Sequence, residues 1–153
     1  VSGVDIQLDA VPLPNLTLTA GLLYMHDYEI TAGPREGQAL PFTAEYSGNL
    51  GAPLVFPLAD GGIYLRADYI FMDDHVTNGT SADQLKDKDF DDRELLNARI
   101  GWRNDNWNLS LWGKNLTDDE YAAQTLVTQL FSGQESYYLA PPRTYGATLR
   151  YDF

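Results

Sequence analysis

The last eleven residues of the chain, Arg143 to Phe153, alternate between apolar and polar side chains. If this segment is extended, its apolar side chains share one face, because side chains in a strand alternate with a period of two. These side chains are Tyr145, Ala147, Leu149, Tyr151 and Phe153. The pattern therefore predicts a terminal strand with one apolar and one polar face.

Six earlier segments show the same alternation and predict six further strands. They span Val4–Ala10, Leu16–Tyr24, Thr43–Leu50, Ile63–Phe71, Leu96–Trp102 and Trp107–Lys114. The second of these runs on to about Glu29, and the third continues less clearly through Pro53 to Phe56. The connections between them alternate between short turns rich in Pro, Gly or Asn and longer polar segments. The three longer segments are Thr31–Pro41, Asp73–Asp92 and Thr117–Pro142.

Alternation of short turns and long loops is typical of up-and-down barrels that span an outer membrane. We therefore predict an all-β fold, an antiparallel transmembrane β-barrel segment of about seven strands. A half-buried strand of a soluble sandwich shows the same alternation of side chains. A soluble antiparallel β-domain that binds carbohydrate or a protein partner therefore remains the alternative.

Composition agrees with strands and turns and narrows the possible partners. The chain has 10 Tyr, 3 Trp and 6 Phe beside 13 Gly and 8 Pro, residues that favour strands and turns. Its formal charge of −12 argues against nucleic acid as a partner. It has no Cys, which excludes disulfides and thiolate metal sites.

The positions of the arginines specify the faces of a membrane-spanning sheet. Arg66, Arg99 and Arg150 lie on the polar faces of their strands. A register slip of one residue would turn each arginine towards lipid, at a cost of about 2 to 4 kcal/mol per arginine near the membrane midplane. We expect the polar faces to line a wet lumen. The predicted lumen-facing side chains are Arg66, Asp68, Arg99, Lys114 and Arg150.

Aromatic residues stand near the ends of the predicted strands. Trp102 and Trp107 flank one short turn, while Tyr24, Tyr69 and Phe71 lie at the opposite strand ends. Interfacial girdles of aromatic side chains border the apolar band of outer-membrane barrels. We expect the two groups to belong to the two girdles.

Two segments near the carboxyl end carry a resemblance to a known family. Residues Trp112–Tyr121 read WGKNLTDDEY, and after a loop Pro141–Gly146 read PPRTYG before the ending LRYDF. These segments closely resemble the C-terminus of TonB-dependent outer-membrane receptors. In that family the penultimate strand ends in K-N-L-T-D-x-x-Y, and the last strand begins near P-R-x-Y-G and stops at Phe.

The resemblance implies that residues 1–153 form the C-terminal part of a roughly 22-stranded barrel that encloses a plug. Such receptors import scarce nutrients, usually ferric siderophores or other iron complexes and sometimes cobalamin or carbohydrates. An inner-membrane energy-coupling complex drives the import. The plug and the segment that contacts this TonB complex would precede the present residues, and we expect the chain to be a piece of a longer protein.

The resemblance also implies a location and two further partners. It implies the outer membrane of a Gram-negative bacterium, with lipid against the apolar faces. The aromatic ending would be the signal that the outer-membrane assembly machinery reads. That signal corresponds here to Tyr145, Leu149, Tyr151 and Phe153.

The long segments are the places to look for a ligand, because binding residues usually lie on loops held by a rigid scaffold. Phe131, Tyr137 and Tyr138 could stack on a ligand there, or pack a loop against the barrel rim. The acidic segment Asp83–Asp92 could bind calcium, but it is diluted by basic residues and a solvated loop is its simpler interpretation.

Neither a metal site nor an active site is predicted. His26 and His75 each stand without a second His at ligand spacing. The chain has no G-x-S-x-G elbow and no Gly-rich phosphate loop. A membrane-embedded hydrolase would show an activity on lipid that disappears when Ser or His is replaced. Because no catalytic motif supports this alternative, we predict a non-enzyme without a cofactor.

Overall fold

The computed structural model describes residues 1–34, 36–76, 89–128 and 134–153. These residues form eleven strands. The strands are β1 (Ser2–Leu13), β2 (Leu16–Asp27), β3 (Tyr46–Leu58), β4 (Gly61–Met72), β5 (His75–Val76), β6 (Asp89–Phe90), β7 (Arg93–Arg103), β8 (Trp107–Lys114), β9 (Ala122–Thr128), β10 (Gln134–Leu139) and β11 (Thr144–Tyr151).

Seven strands form one antiparallel sheet in the order β1-β2-β3-β4-β7-β8-β11. Each strand of the sheet pairs with the one that follows it in the sheet order, so the chain runs up and down without a crossover. The predicted seven-stranded antiparallel fold is confirmed. No helix in the described part of the chain is long and apolar enough to cross a membrane.

The two ends of the strands differ in how they are connected. Tight turns join β1 to β2, β3 to β4 and β7 to β8, at what we call the short-turn edge. The longer connections 28–45, 73–92 and 115–143 all lie at the opposite loop edge. The predicted alternation of short and long connections is therefore present.

The third strand begins later than predicted, at Tyr46 rather than Thr43. It continues through Pro53, as expected, and past Phe56 and Pro57 to Leu58. The backbone amide of Val55 donates to the Asn15 carbonyl (2.9 Å). Because backbone nitrogens two residues apart in a strand point the same way, those of Pro53 and Pro57 also face β2. Pro53 falls in a gap of the β2–β3 ladder and Pro57 lies beyond its end. Neither position requires the N–H that proline lacks.

The first strand also continues past a proline that we expected to end it. β1 includes Pro12 and stops only at Leu13, with a break in its register to β2 between Ala10 and Leu13. Proline is tolerated at bulges and in edge strands, and β1 is an edge strand of the sheet.

Two of the long connections contain strand pairs that alternation along the sequence did not reveal. β5 pairs with β6, and β9 pairs with β10 in an antiparallel hairpin. The backbone of Ala140 donates to Tyr121 (2.9 Å) and closes the base of the β9–β10 hairpin.

The sheet is a single layer with almost no core of its own. Among the described residues, Ala44 is the only buried hydrophobic side chain, and no large side chain is fully buried. Most sheets bury one face against another layer. Here the backbone ladder and neighbouring side chains on each face supply the contacts within the described chain.

A turn at the loop edge, residues 115–119, ties three strands together and is called the clip below. Asn115 is 6% exposed and has a left-handed backbone with φ of 50°. Asparagine tolerates this conformation better than most residues. The backbone N–H of Asn115 donates to the Asn97 side chain on β7 (3.0 Å). The side-chain Nδ2 of Asn115 donates to the backbone carbonyls of Asp119 (2.8 Å) and Pro141 (3.5 Å).

Further hydrogen bonds join the clip to β7 and to the start of β11. The Glu94 amide donates to Asp119 Oδ2 (2.7 Å), and Thr117 Oγ1 donates to the Glu94 carbonyl (2.6 Å). Arg143 forms an ion pair with Asp118 at 2.6 Å. The K-N-L-T-D motif therefore fixes the loop ends of β7, β8 and β11 relative to one another.

We predict that Asn115→Ala destabilises the complete protein by about 2 to 4 kcal/mol, because the Asp119 backbone and the Pro141 carbonyl lose their hydrogen bonds to the buried Asn115 side chain. The urea midpoint of the folded protein in detergent measures this loss. Asn15→Ala is the matched control, since Asn15 is exposed in the β1–β2 turn. Equal midpoints for the two variants would show that the clip does not support the fold.

Candidate functional site

One face of the sheet collects the apolar side chains of all seven strands. The register pairs Ile6 with Leu22, Leu65 with Ile100, and Leu109 with Leu149. Directly paired residues point to the same face. The predicted apolar faces of the individual strands therefore form one continuous surface, called the apolar face below.

The apolar face is open. Leu8, Leu50, Leu111 and Leu149 are 58%, 52%, 63% and 66% exposed. Contiguous exposed apolar surface of this kind marks a contact with a membrane or another molecule.

Aromatic rings gather on this face at the short-turn edge. Trp107 is the cross-strand partner of Tyr151, with ring centroids 4.6 Å apart, and Phe153 meets Tyr151 edge-on at 4.9 Å. Trp102 pairs with Leu109, two positions further from the turn than Trp107. The structure thus brings together most of the aromatic residues expected at this end.

A second aromatic group lies on the same face near the loop edge. Tyr69 and Phe71 have ring centroids 6.1 Å apart, and Tyr24 stacks on Tyr46 at 4.8 Å. Tyr46 was missed as a member of this group because its strand was predicted from Thr43, which placed it within the strand instead of at its end. The register that pairs it with Tyr24 identifies it.

The opposite, polar face carries the predicted lumen residues. Arg66 holds Asp68 through three hydrogen bonds of 2.7 to 3.0 Å, and Arg150 holds Asp152 at 2.7 Å. Arg99 lies directly opposite Arg66 in the β4–β7 ladder. The positively charged side chains of Arg66 and Arg99 therefore face each other, and the Asp68 carboxylate is paired with Arg66.

Aromatic side chains on the polar face cover glycines. Trp112 lies over Gly146, where an added Cβ would collide with the indole ring. Its Nε1 donates to Thr148 Oγ1 (3.2 Å), and Lys114 Nζ lies 5.7 Å from its ring centroid. A ring that covers a glycine on the neighbouring strand pins the register of a sheet.

A matching arrangement stands near the short-turn edge. Tyr64 covers Gly101 and donates from its hydroxyl to Asn108 Oδ1 (2.8 Å), while the Arg103 guanidinium lies 5.9 Å from the Tyr64 ring centroid. These cross-strand groups were not predicted. Their residues are far apart in the sequence, and only the register shows that they meet.

The candidate ligand residues are only partly described. Phe131 lies outside the described residues, and for Tyr137 only the backbone, in β10, is described. Tyr138 is 54% exposed and its neighbour Leu139 is 73% exposed. The described residues thus provide exposed aromatic and apolar surface on the β9–β10 hairpin.

No metal centre forms among the described residues, where no three acidic or histidine side chains cluster suitably. The first part of the acidic segment, including Asp87, lies outside the described residues, and Asp89 is described only as backbone of β6. Asp91 and Asp92 link β6 to β7. His26 lies near Ser2 Oγ, at 3.3 Å, and His75 near the Asp73 carbonyl, at 3.4 Å.

Acidic side chains surround Tyr28 at the loop edge. Burial raises the pKa of the Tyr28 hydroxyl, and the nearby carboxylates of Glu45, Asp74, Asp73 and Glu29 raise it further. The loop edge therefore carries negative charge next to an aromatic ring.

The chain is similar over nearly its whole length to solved structures that include three receptors for ferric complexes. The ferric yersiniabactin uptake receptor FyuA of Yersinia pestis matches with a TM-score of 0.82 and 18% identity, over 99% of this chain and 23% of the receptor. BauA, the ferric preacinetobactin receptor of Acinetobacter baumannii, matches with a TM-score of 0.69 and 23% identity, over 99% and 22%.

The third match is the ferric-catecholate import receptor Fiu of E. coli K12 in its closed form. Its TM-score is 0.62 at 19% identity, over 98% of this chain and 20% of the receptor. No family model matches the sequence.

The chain spans between a fifth and a quarter of the length of the solved receptors. At these identities the likeness concerns the fold, and it covers the sheet together with its loops. The chain therefore has the fold of a segment of the barrel wall of TonB-dependent receptors.

Proposed function

We propose that the chain is part of the barrel wall of a TonB-dependent receptor that imports an iron complex, with a ferric siderophore as the preferred cargo. The observation that carries this proposal is the seven-stranded single layer whose register collects apolar side chains on one exposed face. Its likeness to receptors named for ferric complexes supports the choice of cargo.

The apolar face supports an outer-membrane location. A soluble sheet would need a second layer to cover side chains such as Leu111 and Leu149, which are more than 60% exposed here. Hydrocarbon covers such a face without any further protein. The membrane assignment therefore accounts for the apolar face better than a soluble carbohydrate-binding or protein-binding domain does.

The remaining roles follow from this location. The aromatic groups at the two ends of the apolar face would lie at the two membrane interfaces. The polar face would line the lumen, and the hairpin that carries Tyr138 would stand on the outer side, where the ligand arrives. Energy would come from the TonB complex through a region outside these residues, and the receptor would act without catalysis or a cofactor.

The carboxyl end would also serve assembly. β11 is an edge strand of the sheet, and Tyr145 and Phe153 on its apolar side are 69% and 111% exposed. An unpaired strand edge can accept a strand from another protein. We propose that the outer-membrane assembly machinery recognises this strand before the barrel closes.

A charge on the apolar face tests the location. Leu111→Arg is expected to destabilise the complete receptor in lipid by about 2 to 4 kcal/mol, because the guanidinium would face hydrocarbon. Thr148→Arg is the matched control, since Thr148 is exposed on the polar face one residue from the cross-strand partner of Leu111. Similar unfolding midpoints for both variants in lipid bilayers would contradict a lipid-facing assignment of the apolar face.

Transport tests the function directly. A strain that lacks its own iron receptors and expresses the complete gene should take up ⁵⁵Fe supplied as a hydroxamate siderophore, a catecholate siderophore or haem. Uptake should disappear when the TonB complex is deleted. Uptake of labelled cobalamin or maltodextrin with no uptake of any iron complex would overturn the proposed cargo. The proposal that the protein is an uptake receptor would then still stand.

Loss of the Phe153 ring tests the assembly role. Phe153→Ala should lower the amount of folded receptor in the outer membrane, whereas Phe153→Trp should restore it because an aromatic side chain is retained at this position. Quantitative blotting of outer-membrane fractions measures the change. Equal amounts of folded wild-type and Phe153→Ala receptor in the outer membrane would show that Phe153 is not part of the proposed signal.

A further inference from the structure

A pair of hydrogen bonds continues the β8–β11 ladder beyond the last residues of both strands. β8 begins at Trp107, which pairs with Tyr151, the last residue of β11. One step further towards the short-turn edge, the backbone amide of Asp152 donates to the Asn106 carbonyl (2.9 Å). The side-chain Nδ2 of Asn106 donates to the Asp152 carbonyl (3.1 Å). We call these two hydrogen bonds the Asn106 clamp.

The side chain of Asn106 replaces a backbone donor in this clamp. In an antiparallel ladder, a hydrogen-bonded pair of residues exchanges two backbone N–H···O bonds. The backbone amide of Asn106 is engaged elsewhere, because it donates to Asn104 Oδ1 (3.1 Å) within the turn. The carboxamide nitrogen supplies the second bond in its place. Because the Asp152 carbonyl can only accept, it is the nitrogen of the carboxamide that faces Asp152.

The turn is held by bonds that do not involve β11. Asn104 Oδ1 also accepts from the Trp107 amide (2.7 Å), and the Asn104 amide donates to the Trp107 carbonyl (2.9 Å). Asparagine side chains commonly close turns by bonding to the backbone two residues further on. The β7–β8 turn therefore presents the Asn106 carboxamide to the neighbouring strand.

The clamp sets the direction of the backbone at Phe153. The C=O and N–H groups of a trans peptide point in opposite directions. Because the Asp152 carbonyl faces β8, the N–H of Phe153 faces the other side of β11, which is an edge of the sheet. The same extension brings the Phe153 ring to Tyr151, with ring centroids 4.9 Å apart.

The clamp contributes to orientation more than to stability. Asn106 and Asp152 are both exposed, so water competes for their hydrogen bonds and the net gain in stability is small. The ion pair of Asp152 with Arg150 lies within β11 and does not tie the backbone to β8. Without the clamp, a strand that pairs with the edge of β11 would first have to order the backbone around Asp152.

We infer that Asn106 is a positioning residue for the recognition of β11 by the outer-membrane assembly machinery. Its carboxamide keeps Phe153 in the extended conformation with which a strand of the machinery pairs. The unit that is recognised is β11 already paired with β8, together with the β7–β8 turn, and not β11 alone. The inference rests on the proposed assembly role of β11, and it assigns part of the signal to a residue that lies 46 positions before Asp152.

Two substitutions in the complete receptor remove the donor of the clamp. Asn106→Asp keeps the size of the side chain and suits a turn, but its carboxylate has no proton to donate to the Asp152 carbonyl. Asn106→Ala removes the donor without adding a charge. Asn15→Asp and Asn15→Ala are the matched controls, because Asn15 is exposed in another turn of the short-turn edge.

Pulse-labelling measures the rate at which newly made receptor appears folded in outer-membrane fractions. The rate should fall about fivefold in both Asn106 variants, the order of effect that one net hydrogen bond has on an equilibrium. A photo-cross-linking residue in place of Ala147, which is exposed on β11, should capture the assembly machinery with a yield lowered by the same factor. If the rate or the yield equals that of the Asn15 controls, the inference is overturned.

A double variant separates positioning from support of the turn. If Asn106 acts through Phe153, adding Asn106→Ala to a receptor that already carries Phe153→Ala should slow assembly by only about twofold or less, because the effects of coupled residues do not add. The same fold-loss in both backgrounds would show that Asn106 only supports the turn, and it would overturn the inference.

The inference and the proposed function fail in different ways. Slow assembly of Phe153→Ala beside normal assembly of Asn106→Ala would overturn the inference and leave the proposed signal in place. Normal assembly of Phe153→Ala would overturn the proposed signal and the inference together. Neither measurement depends on the cargo, which the uptake assay tests.

Discussion

The backbone hydrogen-bond ladder across seven strands is the constraint on which the rest of the structure depends. Side chains alternate with a period of two, so the register of each strand decides which residues share a face. The observed register places Tyr145, Gly113 and Ala98 in one row, although they come from three different strands. With almost no buried core, the sheet relies on this ladder to keep its apolar and polar residues on opposite sides.

The two faces of the sheet carry different kinds of side chains, which make different contacts. On the apolar face, exposed aliphatic residues lie between aromatic groups such as Trp107–Tyr151 and Tyr24–Tyr46. On the polar face, Trp112 covers the glycine of a neighbouring strand and bonds to Thr148, so its ring contributes to packing and register at once. Charge is also distributed unevenly within the sheet, because the basic residues of its strands all lie on the polar face of β4, β7, β8 and β11.

Much of the fold could be predicted from the sequence where alternation is strict and turns are tight. β8 has the predicted bounds, Trp107–Lys114, because a polar Asn-Asp-Asn turn precedes it and the clip follows it. The start of β3 was wrong by three residues, since alternation continues upstream of Tyr46 into residues that do not join the sheet. The β9–β10 hairpin was missed because it lies within a long connection that separates two strands of the sheet.

The site could be predicted less fully than the fold. The face of each basic residue follows from local alternation, so Arg66 and Arg99 were expected on the polar side. That they oppose each other depends on pairing between strands, which a single strand does not encode. The same holds for the hydrogen bond between Tyr64 and Asn108 and for the clip, whose partners lie up to 26 residues apart along the chain.

The two prolines of β3 give the wall a direction of weakness. Pro53 and Pro57 cannot donate hydrogen bonds, and both face β2, so the boundary between β2 and β3 has fewer cross-links than the continuous boundary between β3 and β4. A load that pulls the strands sideways will therefore meet fewer hydrogen bonds on the β2 side of β3 than on its β4 side. When both boundaries carry the same load, β3 will stay with β4 and part from β2.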